Sequence, residues 1–192
     1  MHLSTAVAAR WLLIPCQGEK PLVPHDDFRE PDPARVARWA ERFPGCNWAV
    51  KTGAVSADLL VVDVTTEGSK AAAFGTWDAI RWTRGAPLVP TPWHETVSGW
   101  RFYFRLRKWD LQDLPSKLVI SRKSIWIKIF LYNHLVLIPP SVVRGFRYYW
   151  RLPPGPPRHS VFGFPLQQWP IEAPGWLRDF IELGLRQHTA DI

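Results

Sequence analysis

The chain has 192 residues, with 24 Lys and Arg against 17 Asp and Glu and a formal net charge of +7. That length suits one domain with or without a small appendage, and a 46% hydrophobic share is enough for an ordinary core. The basic balance points towards nucleic acid or another polyanion, while Cys16 and Cys46, far apart with no second ligand near either, indicate neither a zinc knuckle nor a disulfide framework.

The opening Met1-His2-Leu3-Ser4 lacks the charged start and apolar run of a signal peptide. The longest apolar region, Ser124 to Ser141, is broken by Lys128, Asn133 and His134, which argues against a membrane span. A cytoplasmic protein with two buried free thiols is expected.

Leu3 to Arg10 reads as a short Ala-rich helix leading into the apolar run Trp11-Leu12-Leu13-Ile14. Asp32-Pro33 opens a second helix, Asp as the cap and Pro at the first helical position. Val36, Trp39, Ala40 and Phe43 share one face of it, and Pro44-Gly45 stops it. Two apolar runs follow, Trp48 to Lys51 and Leu59 to Val64, joined by Thr52-Gly53 and a loop of small residues. The second run is continuous in Leu and Val, as in a strand buried on both faces. Ala71 to Trp82 predicts a helix packing Phe74, Trp77 and Ile80. After the Pro-rich stretch from Pro87 to Pro92, strand patterns return at Trp100 to Leu106, Ile125 to Ile129, Leu135 to Ile138 and Tyr148 to Leu152. Pro153 to Pro157 reads as a stiff linker or surface loop, and Trp176, Leu177, Phe180 and Ile181 mark a last amphipathic helix. The expected fold is α+β, with a central, mostly antiparallel sheet and flanking helices. Residues 1–152 are expected to form the main domain, and 153–192 a Pro-rich connection plus a helix packed on that same domain.

Several local patterns, in order over roughly residues 6 to 151, resemble the bifunctional DNA primase/polymerase N-terminal domain of the archaeo-eukaryotic primase superfamily. Trp11-x3-Pro15 with Gly18-x-Lys20-Pro21 is similar to its first strand, turn and Lys-Pro step. Asn47 to Gly53 resembles the apolar strand that ends in Thr52-Gly53, where Gly removes a side chain that would block a phosphate. Leu59 to Thr65 resembles the strand that in active members ends Asp-x-Asp, two carboxylates on one strand face that hold divalent metal. Asp63 keeps the first position and Thr65 stands at the second. Glu95 to Phe104 resembles Thr-x-Ser-Gly-Gly-x-His-x-Tyr-Phe, one residue shorter, with Ser98-Gly99 retained and Arg101 where the nucleotide-contacting His would lie. Arg101 can bind a triphosphate bidentately, or fill the space of a metal. Leu135 to Ser141 with Gly145-x2-Tyr148-x-Trp150 resembles the strand, Pro-Pro-Ser turn and hairpin that close the domain. The third metal-binding Asp of active members falls on Trp126 or Lys128, depending on the gap.

The resemblance implies nucleotidyl transfer with Mg²⁺ or Mn²⁺ held by carboxylates. Of that acidic set Asp63 alone is clearly present. Glu67, and Glu95 with His94, are candidates to supplement it, against simpler readings as a solvated loop acid and a surface turn after Pro92. The expected function is therefore a catalytically impaired primase-polymerase-like domain that binds nucleic acid in replication, repair or mobile-element maintenance. The alternatives are an active metal-dependent primase/polymerase with an unorthodox metal site, and a structural subunit of a replication or defence complex.

Lys20, Thr52, Gly53, Ser98, Gly99, Arg101 and Lys128 are the expected nucleotide and phosphate contacts. Arg105, Arg107, Lys108, Arg122 and Lys123, with Trp100 and Trp126 as stacking platforms, are the expected contacts to a single strand or primer-template. Trp93 is a third candidate platform, Lys117 extends the basic surroundings, and Trp11, Trp39, Trp48 and Trp77 read as core. The chain has no Gly-x4-Gly-Lys-Ser/Thr phosphate loop, so a helicase, or an active homologue, would act in trans.

Overall fold

The computed structural model describes residues 3–83, 91–106, 115–122, 124–152, 158–159, 165–166, 170 and 172–190. Helix α1 (Leu3–Ala8) leads into β1 (Leu13–Gln17) and its short partner β2 (Lys20–Pro21). Helix α2 (Pro33–Arg42) starts where expected: the Asp32 side chain accepts from the Arg35 backbone N–H at 3.0 Å, satisfying an amide with no partner inside the helix. Strand β3 (Asn47–Lys51), a short turn at Ala54–Ser56, β4 (Leu59–Thr66) and α3 (Lys70–Thr83) follow.

The next strands are β5 (Trp93–Glu95), β6 (Gly99–Arg105), β7 (Lys117–Arg122), β8 (Ile125–Phe130) and β9 (Leu135–Ile138). A small hairpin, β10 (Val142–Val143) and β11 (Phe146–Arg147), precedes β12 (Trp150–Leu152). Two two-residue strands, β13 (Arg158–His159) and β14 (Pro165–Leu166), pair before α4 (Gly175–Ala190).

Two antiparallel sheets dominate the described residues, one ordered β2-β1-β3-β9 and the other β12-β5-β6-β4-β8-β7. The fold is the expected α+β arrangement. Strand β4 lies inside the larger sheet, paired with β6 from Leu59↔Arg105 to Thr65↔Gly99 and with β8 from Val61↔Phe130 to Thr66↔Ile125. Its side chains alternate between two cores. Leu59 and Val61 enter the first, with Trp11, Ile14, Trp48, Tyr103 and Ile138 between the sheets. Leu60, Val62 and Val64 enter the second, with Ala73 and Trp77 of α3 and Trp176, Leu177 and Ile181 of α4. Burying one such large apolar side chain is worth about 1.5–3 kcal/mol, so β4 draws stability from both faces. This accounts for its unbroken Leu/Val run. The last helix packs in the same core as α3, while the expected linker 153–157 lies outside the described residues.

Three expectations change. Strand β7 is absent from the predicted set, because Lys117-Leu118-Val119-Ile120-Ser121-Arg122 is framed by charged residues. His94 and Glu95, expected on a surface turn, belong to β5, and His94 is fully buried. Cys16 and Cys46, distant in sequence, line one shallow cavity of about 550 Å³, because Cys16 pairs with Asn47 across β1 and β3. Burial pushes the Cys16 thiol up to about 11.

The fit of β6 against β4 depends on Gly99, where a Cβ would lie 1.9 Å from the Val64 carbonyl oxygen. Gly99→Ala is expected to lower unfolding free energy by about 3 kcal/mol. Gly75→Ala, on an open stretch of α3 with nothing within 4 Å of the added carbon, is expected to raise it by about 0.5–1 kcal/mol. Denaturant titration of the two variants checks both signs.

Candidate functional site

A cavity of about 490 Å³ opens between the two sheets. The alternation that sends Leu59 and Val61 into the first core carries on to Asp63 and Thr65, which line this cavity. Register fixes what stands beside Asp63: Arg101 of β6 on one side and Lys128 of β8 on the other. Ala49, Leu135 and Leu137 supply the opposite wall from the smaller sheet. Thr96 and Ser98 come from the β5–β6 turn, Lys117 from β7, and Arg144 and Tyr148 from the segment after β9.

Arg101 and Asp63 form an ion pair, Nε to Oδ1 at 3.1 Å, with side chains only 12% and 6% exposed. Arg101 also donates from Nη1 to the Leu137 carbonyl at 2.8 Å, joining the larger sheet to β9 of the smaller one. Burial works against the guanidinium charge, but Asp63 outweighs it and holds the Arg101 pKa above its ordinary value. Behind the pair, His94 lies opposite Arg101 in β5 and meets the Tyr103 hydroxyl through Nδ1 at 3.1 Å. Tyr148 and Trp150 pack around the imidazole at ring separations of 5.0 and 5.3 Å. Burial, and then the Arg101 charge, push the His94 pKa well below the usual histidine value.

The geometry agrees with a comparison at the level of whole families. The model of the bifunctional DNA primase/polymerase N-terminal domain matches residues 3–176. The chain belongs to that family. It is thus a primase/polymerase-like domain of nucleic-acid metabolism, and membership implies interaction with nucleic acid. No curated protein matches the chain. No helix among the described residues is long and apolar enough to cross a membrane.

Of the residues expected from the family pattern, Asp63, Ser98, Arg101 and Lys128 come together in the cavity. Lys128 stands directly across from Asp63, and Trp126 across from Thr65. Lys20 is exposed in the β1–β2 hairpin and outside the lining, although Glu19 next to it belongs there. Thr52 and Gly53 are placed elsewhere. The Thr52 hydroxyl accepts from the His134 backbone N–H at 3.1 Å. Gly53, at φ +94°, would bring a Cβ within 2.8 Å of Tyr132 Cβ, so packing of the chain on Tyr132 requires glycine there. Gly99 likewise answers to Val64 rather than to the cavity.

Trp100 turns to the other side of the sheet. Its ring meets Phe74 at 5.5 Å and Trp93 at 5.3 Å, and its Nε1 donates to the Lys70 carbonyl at 3.0 Å, so neither tryptophan faces the cavity. Trp126 is half-buried and outside the lining. Arg105 donates from Nε to the Pro170 carbonyl at 2.8 Å and anchors the segment before α4. Arg107, Lys108 and Lys123 lie outside the described residues, as does the side chain of Arg122 that ends β7. Trp11, Trp39, Trp48 and Trp77 are core, as expected.

The family's chemistry implies divalent cations, which need several carboxylate oxygens converging in one place. Here Asp63 is engaged by Arg101, Thr65 offers an uncharged hydroxyl, and Lys128 brings an ammonium group directly across from Asp63. Glu67 is exposed beyond the end of β4 and Glu95 is held by Lys70 at 2.6 Å and Arg151 at 3.1 Å; neither lines the cavity. Among the described residues no group of three or more His, Cys, Asp or Glu is placed to hold a metal ion. This donor set does not fit a two-metal centre.

Thr96, Arg144 and Tyr148 are cavity residues that sequence reasoning passed over. Thr96 carried a signal, since it opens the Thr-x-Ser-Gly stretch two residues before Ser98. Arg144 carried none, because its place depends on how the chain returns after β9.

Histidine burial sets a pH dependence. With the folded pKa depressed, the unfolded chain takes up a proton from about pH 6.5 downwards while the native state does not, so His94 contributes stability above that pH and the contribution is lost as pH falls. Unfolding free energy is expected to decline between pH 6.5 and 5 with a slope approaching about 1.4 kcal/mol per pH unit. His94→Phe is expected to remove most of that slope, as read by urea unfolding across the range.

Proposed function

We propose that this domain binds nucleic acid through phosphate contacts and does not perform two-metal nucleotidyl transfer, so that any polymerase chemistry in its pathway resides in another chain. Support comes from a single row across the larger sheet, Arg101–Asp63–Lys128. Where active members of the family gather carboxylates, this chain has one carboxylate already neutralised by a guanidinium and an ammonium group on its other side. Such a row repels divalent cations and attracts phosphate. The surplus of basic residues acts in the same sense, and phosphate contacts carry no sequence preference. A single strand or a primer-template end is the expected ligand.

Two measurements test this reading. In EDTA, fluorescence anisotropy with a labelled primer-template is expected to show binding that weakens with salt, with a log–log slope of about −3 for roughly three neutralised phosphates. In primer extension with Mg²⁺ or Mn²⁺, the wild-type chain is expected to match the background of Asp63→Ala. Extension by the wild type that is lost in Asp63→Ala overturns the proposal and assigns the chain as an active polymerase.

A further inference from the structure

Cys16 and Cys46 lie outside the site between the sheets, and strand pairing brings them together. Cys16 stands opposite Asn47 across β1 and β3, and Cys46 is the residue before Asn47. Opposed residues of an antiparallel pair have Cα atoms about 4.5–5.5 Å apart. The diagonal step to Cys46 therefore sets the two cysteine Cα atoms roughly 6 Å apart, inside the roughly 4.4–6.8 Å that disulfides span. Alternation along β3 begins only at Asn47, because the chain turns just before it: Gly45 is at φ +75°, and the Cys46 N–H donates to the Phe43 carbonyl at 3.2 Å. Both cysteines line the same shallow cavity of about 550 Å³, with Gln17, Gly18, Phe43 and Asn47.

The two thiols differ in access. Cys16 is fully buried and donates to the Ile14 carbonyl at 3.6 Å, a weak bond that is easily given up. Cys46 is half-buried at the cavity. Burial, and then the charge of a Cys46 thiolate, push the Cys16 thiol up to about 11; burial raises Cys46 as well, offset in part by the Cys16 backbone N–H that faces its sulfur. Each cysteine thus registers the other. A dithiol whose thiolate is stabilised makes an oxidising couple. Here neither thiolate is stabilised, so the reduced state gains nothing, and an uncharged disulfide suits the burial that a thiolate resists.

We propose that Cys16 and Cys46 form a reversible disulfide, made by exchange with a small-molecule disulfide that enters the cavity at Cys46. The Cys46 thiolate attacks one sulfur of R–S–S–R, forming a mixed disulfide and releasing R–S⁻. Cys16, having lost its proton to solvent, attacks the Cys46 sulfur and displaces the second R–S⁻. Two thiols give up two electrons and two protons, and R–S–S–R becomes two R–SH. The new bond ties β1 to the start of β3 and closes the segment from Gln17 to Gly45, which carries α2, into a loop. It braces the smaller sheet and does not depend on whether nucleic acid binds beside Asp63.

The experiment is oxidation of the full chain by oxidised glutathione under native conditions, read by intact mass, thiol titration and peptide mapping. The expected product is a monomer about 2 Da lighter, with no free thiol and one Cys16–Cys46 linked peptide, and it is reversed by dithiothreitol. Because both thiols are held above their ordinary range, formation is expected to run about tenfold faster at pH 8.5 than at pH 7.5. The oxidised chain is expected to melt about 5–10 °C higher, as closure of a loop of that length implies.

Cys46→Ala is expected to take up no glutathione, and Cys16→Ala to stop at a glutathione adduct on Cys46. Circular dichroism establishes that each variant is folded; if Cys16→Ala is not, the wild-type peptide map and Cys46→Ala decide the matter. Thiols that stay free in the native chain, a wild-type product that ends as a glutathione adduct or as a dimer through Cys46, or an oxidised chain that melts below the reduced one overturns the proposal.

Discussion

The ion pair between Arg101 and Asp63 sits where the two sheets meet, and much of the site follows from it. A carboxylate and a guanidinium removed from water together are tolerable only if each finds its partner and the remaining donors are used. Here the second use is the Leu137 carbonyl at 2.8 Å, on the strand facing across the cavity. Arg101 therefore joins the sheets while neutralising the carboxylate that metal chemistry would require. Removing one partner from so buried a pair by mutation costs about 3–5 kcal/mol; in the proposed reading Asp63 stays with Arg101 rather than with a cation.

That arrangement is a consequence of strand periodicity. Strand β4 alternates between a core with α3 and α4 and a core facing the smaller sheet, and beyond Val61 the second face opens into the cavity. Asp63 and Thr65 are the next residues on that face. Their neighbours are dictated by the register of β6 and β8, so one row of paired residues decides the charge of the site.

Much of the scaffold was legible in the residues. The Asp32-Pro33 start of α2, the unbroken apolar run of β4 and the Leu135 to Ser141 segment each carry a local physical cause. In the last, the Ser141 hydroxyl donates to the Trp48 carbonyl at 3.1 Å and accepts from the Trp48 N–H at 3.0 Å, while the Asn47 side chain donates to the Val142 carbonyl and accepts from its N–H. Those bonds fasten the turn to β3, which gives Pro-Pro-Ser its place in the pattern. Strand β7 was not legible, because a strand at a sheet edge with charged ends and one exposed face has a weak periodic signal. The burial of His94 was also hidden, since its cage joins Tyr103 of the neighbouring strand to Tyr148 and Trp150 from a segment far along the chain.

The site was legible only as far as a strand face can be read. Asp63, Arg101 and Lys128 share a row, and position along the strands was enough to find them. Trp100 fell on the wrong face, because a stacking platform and a core aromatic look alike in sequence and only alternation against β4 separates them. Thr52 and Gly53 carried the family pattern, but their glycine answers to Tyr132. In the proposed reading the Arg101–Asp63–Lys128 row has replaced a divalent-cation site, and Mn²⁺ titration followed by electron paramagnetic resonance tests that replacement. The wild-type chain is expected to leave the free Mn²⁺ signal unchanged at micromolar metal, while Thr65→Asp/Arg101→His/Lys128→Asp acquires a bound ion. Stoichiometric Mn²⁺ binding by the wild type that disappears in Asp63→Asn would show that the row still holds a divalent cation.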